Sequence, residues 1–235
     1  MNLNRSKLRK NRWIRLLFDT DFPLSYLLRY RYYRLIVKAS RTFEMDGHKY
    51  KYFNHKYNTT WNNERAVEIP IICKFVSENN FDNFLEIGNV LSHYFNIDHD
   101  IVDKYEKAEG VLNEDVVDFQ TIKKYKLIVS ISTLEHVGWD ETPQDDEKIL
   151  YALNNLKKSL ASGGKLVVTL PLGYNKILDK YLETGKIKFN KSYFLKRTSR
   201  TNKWKEIKKD FYESEFNSPF PMANIVFIGI YQKHN

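Results

Sequence analysis

The sequence predicts an α/β fold built on a doubly wound, mostly parallel sheet, and three observations carry that reading. From Asn62 onward short apolar runs alternate with helical patterns, the order of a wound sheet. Leu127-Ile128-Val129 is apolar without interruption, as a strand covered on both faces must be. Phe84-Leu85-Glu86-Ile87 runs directly into Gly88, a strand end at which the backbone can approach a ligand closely.

The elements follow in order. Residues 5–18 are compatible with a helix, and Asp21-Phe22-Pro23 supplies a cap and an early proline for a second one reaching Lys38. Asp46-Gly47 reads as a tight turn between extended pieces at 41–45 and 48–53. Residues 64–78 read as a helix, kinked or restarted at Pro70. Strands are expected at 83–87, 100–103, 111–114, 126–132, 165–170 and 224–231. Between the fourth and fifth, residues 145–160 form an amphipathic helix with Ile149, Leu153, Leu156 and Leu160 on one side, ended by Gly163-Gly164. The short spacings from the first of these strands to the third leave room only for stunted crossover helices. The organisation expected is a basic helical extension or lid over 1–60 and a domain over 61–235.

Charge supports that division. Residues 1–60 carry 14 Lys and Arg against four acidic residues, and the whole chain is +9, so the remainder is close to neutral. A basic segment favours an anionic partner: nucleic acid, a phospholipid surface or a phosphorylated substrate. Arg5, Lys7, Arg9, Lys10, Arg12 and Arg15 surround Trp13, Leu16, Leu17 and Phe18, a combination suited either to an anionic membrane surface through residues 1–38 or to packing on the domain. Those same charges interrupt the apolar residues, so no signal peptide is expected, and no stretch is long enough to span a bilayer. The lone Cys73 excludes an internal disulfide framework and a cysteine-based zinc site, reads as a buried small hydrophobe, and fits a reducing, cytoplasmic compartment, with the inner membrane face as a peripheral location. No metal is expected, since His93 and His99 make a poor ligand pair.

In a wound sheet, ligands bind beyond the carboxyl ends of the strands. Four places follow. The turn after the first strand holds Gly88 and Asn89, with Glu86 just before it. Asp103 ends the second strand, where a carboxylate can accept both hydroxyls of a ribose. Asp115, with Asp118 as its competitor, is placed to accept from an adenine amino group; each acid could instead be a turn or cap residue. The fourth place is the loop Ser130–Gly138, which contains Ser132, Glu135 and His136. His136 is suited to general-base work near neutral pH, with Glu135 as a candidate to orient it; the alternative is a structural histidine. Trp61, Asn62 and Arg65 sit in a segment rich in aromatic and polar side chains just before the first helix of the domain.

Leu85-Glu86-Ile87-Gly88 resembles the first half of motif I of class I S-adenosylmethionine-dependent methyltransferases. Leu134-Glu135-His136-Val137 resembles the loop after their fourth strand, and residues 160–169 resemble their helix–glycine–strand segment. The three matches occur in the family's order and span roughly residues 84–174. Val90 and Ser92 stand where the family places further glycines. The resemblance implies a seven-stranded-type, Rossmann-like methyltransferase fold with S-adenosyl-L-methionine as cofactor. It implies cofactor contacts from Glu86, Gly88, Asn89, Asp103, Asp115, Asp118 and Ser132. It further suggests a lid contributed by Trp61, Asn62 and Arg65 that lines the acceptor site, the alternative being a capped helix start with a packed tryptophan.

The acceptor is less constrained. The Asn/Asp-Pro-Pro-aromatic motif of many amine-methylating relatives is absent, and Ser132-Thr133-Leu134-Glu135 stands there. The resemblance extends to members associated with glycan and cell-envelope biosynthesis, and implies O-methylation of a saccharide or similar small polar acceptor, lipid-linked acceptors included. The alternatives are an RNA methyltransferase using the basic terminus, nucleic acid being the less favoured partner, and a non-catalytic methyltransferase-like binding module.

Overall fold

The centre of the structure, a computed structural model, is an eight-stranded sheet; residues 41–80, 82–208 and 215–234 are described. The segment 1–38 and the helices expected within it lie outside the described residues. By its contacts the chain divides into Met1–Thr42 and Phe43–Asn235, and residues 43–60 count with the larger unit. The reason is the hairpin of β1 (Thr42–Met45) and β2 (His48–Lys51), which turns at Asp46 and Gly47 with positive φ at both. It buries Phe43, Met45 and Tyr50 against Val67, Ile71, Leu195 and Trp204.

The hairpin leads to α1 (Arg65–Glu78), which runs on through Pro70 without a restart. Proline cannot bond the carbonyl one turn back, and here the Ala66 carbonyl accepts from the Phe53 N–H instead, at 2.9 Å. This helix is buried on opposite sides, Val67 and Ile71 toward the hairpin and Ile69, Ile72 and Val76 toward the sheet.

The sheet strands are β3 (Phe84–Ile87), β4 (Asp100–Val102), β5 (Val111–Leu112), β6 (Tyr125–Ile131), β7 (Leu160–Pro171), β8 (Lys191–Arg197), β9 (Trp204–Ile207) and β10 (Ile225–Gln232). Their order is β5-β4-β3-β6-β7-β10-β8-β9. The first five are mutually parallel, with Glu86 opposite Ile101 on one side and Val129 on the other. β10 enters antiparallel between β7 and β8, and β9 runs antiparallel to β8. The fold is the Rossmann-like, mostly parallel sheet predicted, with eight strands where a seven-stranded type was expected.

The remaining helices are α2 (Lys148–Ser159) and α3 (Lys176–Thr184). α2 stops at Ser159, before the glycine pair. Leu160 already pairs with Tyr125, and the next paired residue is Lys165 opposite Leu127, so Gly163 and Gly164 form a bulge inside β7 and do not cap the helix. A Cβ on Gly164 would stand 2.8 Å from the Tyr125 carbonyl oxygen, which is why glycine is needed there. Strands β8 and β9 and helix α3 were not anticipated from sequence. The crossovers from β3 to β4 to β5 are short, as expected: a 3-10 turn at Leu91–His93 is the one helical element among them. Val90, Tyr94, Phe95 and Ile97 pack in place of a helix against Phe84, Leu91 and Val129.

Candidate functional site

Chain order reverses between β3 and β6, so the carboxyl ends of these strands part at a switch point. A cleft of about 540 Å³ opens there, lined by Gly88, Asp103, Asp115, Ser132, Thr133 and His136 among others. Each of β3, β4, β5 and β6 thus contributes a sequence-predicted residue at or just past its end.

Gly88 has φ of 84°, and a Cβ on it would lie 2.2 Å from Thr133 Oγ1. Both the torsion and the contact demand glycine. Glu86 does not line the cleft. It is fully buried beneath the loop, where Oε1 accepts from the N–H groups of Val90 and Leu91 at 3.1 and 2.9 Å and Oε2 lies 2.8 Å from His99 Nε2. Asn89 is likewise spent inside the loop. Its Nδ2 donates to Glu106, its Oδ1 accepts from Ser92, and its backbone N–H donates to Asp103 Oδ2 at 3.2 Å. Both residues therefore shape the cradle and are not among the groups lining the cleft.

Asp103 lines the cleft while Oδ1 accepts from the N–H groups of Tyr105 and Glu106, each at 2.8 Å. These bonds fix the carboxylate and leave acceptor capacity for hydroxyls. Asp115 lines the cleft as well, but Oδ2 is held by Lys104 at 2.8 Å and Lys148 at 2.6 Å. The same two lysines reach Glu141 at 3.2 and 2.5 Å. Burial alone would raise the Asp115 carboxyl, and the lysine hydrogen bonds outweigh it and hold the group at about 2. Asp118 is exposed and outside the cleft lining, so of the two acids Asp115 alone borders the cleft.

At the other end, Ser132 has φ of 40° and its hydroxyl donates to Glu68 Oε1 at 2.6 Å. His136 lines the cleft with its side chain 44% exposed, open enough to meet a substrate. Its Nδ1 is 2.5 Å from Asp140 Oδ2, an oxygen that also accepts from the Tyr174 hydroxyl at 2.6 Å. Burial would raise the Asp140 carboxyl, but the hydrogen bonds from Tyr174 and His136 hold it below the usual carboxylate range. The residue that orients His136 is thus Asp140, which sequence reasoning missed. Glu135 does not fill that role: it is 1% exposed, and Oε1 stands 3.6 Å from His136 Nε2. Burial, reinforced by Glu68 and Glu64, pushes its carboxyl well above the ordinary range, and Oε2 has no hydrogen-bond partner.

The segment expected as a lid is packed at the start of α1. Trp61 is buried, and Arg65 is bound to Glu68 at 2.7 Å. Asn62 is exposed, but its carbonyl oxygen accepts from Arg197 Nη1 at 3.1 Å. None of the three is among the residues lining the cleft; they pack the start of α1 into the domain. Arg65 nevertheless reaches the site at one remove, through Glu68 to Ser132. Among the described residues no group of three or more His, Cys, Asp or Glu side chains is arranged to hold a metal ion. No helix among them is long and apolar enough to cross a membrane.

No family model and no curated protein matches the chain. Solved structures similar to it include the N-methyltransferase NodS from Bradyrhizobium japonicum WM9 in complex with S-adenosyl-L-homocysteine, at 14% identity and a TM-score of 0.39, over 64% of this chain and 77% of that one. The sugar N-methyltransferase KedS8 from Streptoalloteichus sp. ATCC 53650 is 12% identical with a TM-score of 0.36, over 72% and 88% of the two chains. An rRNA methylase from Streptococcus thermophilus is 10% identical with a TM-score of 0.41, over 70% and 97%. At such distances these likenesses assign no role to any residue, and the site is read from its own geometry.

Proposed function

We propose that the protein is an S-adenosyl-L-methionine-dependent methyltransferase that O-methylates a saccharide or a similar small polar acceptor, including one carried on a lipid. The observation that supports this most is the cleft at the switch point, where Gly88, Asp103, Asp115 and Ser132 converge from the ends of four adjacent parallel strands. The residues fit the donor. Gly88 keeps the backbone bare where a Cβ would collide with Thr133. Asp103, held by three backbone N–H groups, offers its remaining acceptor capacity to a ribose. Asp115 and the adjoining backbone border the far end of the cleft, where an adenine would lie. The donor supplies a methyl group on a sulfonium, already a good leaving group.

What the chain must add is placement and a sink for one proton. His136 faces the cleft through a ring whose Nδ1 is fixed by Asp140, so the proton would go to Nε2, which has Glu135 Oε1 3.6 Å away. Taking the hydroxyl proton of an acceptor as its oxygen bonds to the methyl carbon balances the step: the carbon–sulfur bond breaks and its electrons stay on sulfur. Tyr174, bonded to the same carboxylate oxygen and edge-on to the His136 ring, steadies the pair.

Titration calorimetry of the full chain with S-adenosyl-L-methionine and S-adenosyl-L-homocysteine tests the donor site, and both should bind. A folded protein that gives no heat with either overturns the reading and leaves a binding module of other specificity. Labelled methyl donor incubated with fractionated cell extract tests the acceptor. Label in glycan or glycolipid is the expected outcome; label confined to RNA moves the assignment to the nucleic-acid alternative.

A further inference from the structure

Beneath the loop that follows β3 lies a pair of titratable side chains sealed from solvent. The His99 and Glu86 side chains are both 0% exposed, with Nε2 and Oε2 2.8 Å apart. The other ring nitrogen, Nδ1, is 3.0 Å from the carbonyl oxygen of Ile97. Both ring nitrogens therefore face oxygens. A neutral imidazole has one N–H and would leave its second nitrogen lone pair against an acceptor. An imidazolium satisfies both contacts. The other Glu86 oxygen already accepts two backbone N–H groups, so the carboxylate meets His99 as an acceptor. The His99 ring also lies flat on Phe84, centroids 4.5 Å apart and planes 10° from parallel, a face that attracts a cation.

Resting on the cofactor reading above, we propose that His99 is a buried imidazolium that fixes Glu86, and through Glu86 the backbone of the Gly88 loop, and so acts as a positioning residue for the donor site. The chain of contacts is short: His99 to one carboxylate oxygen, the other oxygen to the N–H groups of Val90 and Leu91, and those residues next to Gly88 and Asn89. Among the described residues no other side chain bonds both loop amides. The surroundings do not compete for the charge. Asp100, next in sequence to His99, is paired with Lys123 at 2.6 Å and adds a smaller support to a charge on His99. Cys73, from α1, stays a neutral thiol, pushed up to about 11 by burial and by the charge of Glu86. Burial pulls the His99 value down, but hydrogen bonding to and the charge of Glu86 outweigh it, leaving the value raised. A raised histidine contributes its full share below the ordinary imidazole range, and that share is lost as pH rises through the folded value.

The test uses the full chain and the variant His99→Gln, whose amide can still donate toward Glu86 but neither carries charge nor titrates. In the wild type, nitrogen NMR of the ring should show both His99 nitrogens protonated at neutral pH. Donor affinity should fall about tenfold as pH rises through the His99 titration, whereas in His99→Gln it should be weaker and flat over the same interval. A neutral His99 ring at pH 7, or identical pH profiles for the two proteins, overturns the proposal. If neither protein binds the donor at any pH, the cofactor reading has failed, and hydrogen exchange at the Val90 and Leu91 amides decides the rest. Faster exchange in His99→Gln supports the positioning role, and unchanged exchange overturns it.

Discussion

His136 and Asp140 are joined across one turn of backbone, Nδ1 to Oδ2 at 2.5 Å, and the same oxygen holds the hydroxyl of Tyr174. This pair turns an exposed histidine into an oriented one. His136→Ala should lower turnover about 10²–10⁴-fold while donor affinity stays intact. Asp140→Asn should lower kcat and change the shape of its pH profile, with donor affinity again unmoved. Steady-state kinetics beside calorimetry separates the two effects. A loss of less than about fivefold in His136→Ala would remove the general base from the mechanism.

Gly88 is constrained twice, by φ and by Thr133. Gly88→Val should abolish donor binding in a protein that still folds, since the side chain would have to displace the loop after β6 as well as its own. Calorimetry and circular dichroism on the same sample check both halves of that statement.

Asp103 gathers the N–H groups of Asn89, Tyr105 and Glu106 while facing the cleft. Asp103→Ala should weaken donor binding by about tenfold or more, because a charge-assisted contact and the order of two loops are lost together. Equal affinities in variant and wild type would place the ribose elsewhere.

Asp179 gives a prediction about stability. It is buried and accepts from the Gly173 N–H at 2.7 Å, and burial lifts its carboxyl to about 6. The native state then binds more protons than the unfolded chain between the ordinary aspartate value and about 6, so stability falls as pH rises through that window. Asp179→Asn keeps an acceptor for Gly173 without the charge. Thermal unfolding should show the variant gaining on the wild type as pH is raised from about 3 to about 7, with little difference at the acid end.

The sheet was legible in the sequence because buried parallel strands announce themselves: Leu127-Ile128-Val129 has no polar residue to place, and Leu85-Glu86-Ile87-Gly88 marks its own end. β8 was not, since Lys-Ser-Tyr-Phe-Leu-Lys-Arg has charged ends and only Phe194, Leu195 and Arg197 are buried. α3 carried a readable signal in Asn175, whose side chain caps the Ile177 and Leu178 N–H groups, and in the apolar spacing of Leu178 and Leu182. In the site, the strand-end residues Gly88, Asp103, Asp115 and Ser132 were found because the sheet's order fixes where strand ends point. Asp140 was not, because its partnership with His136 depends on the turn that follows Leu134–His136, and a spacing of four outside a helix pattern carries no signal. The lid segment shows a related limit. Trp61 and Arg65 looked like ligand-facing residues by type, whereas Trp61 is buried and Arg65 is bound to Glu68.

The short crossovers have a thermodynamic consequence. β4 and β5 contribute three and two residues to the sheet, and turns and loop side chains stand where helices would clamp them. An edge so lightly secured is the part of the domain that opens at least cost. A nucleoside seated on Asp103 and Asp115 would touch this edge and the firmer β3–β6 centre at once. It would thus serve as a structural member, closing a gap the polypeptide left, and its occupancy would set how often the edge unzips.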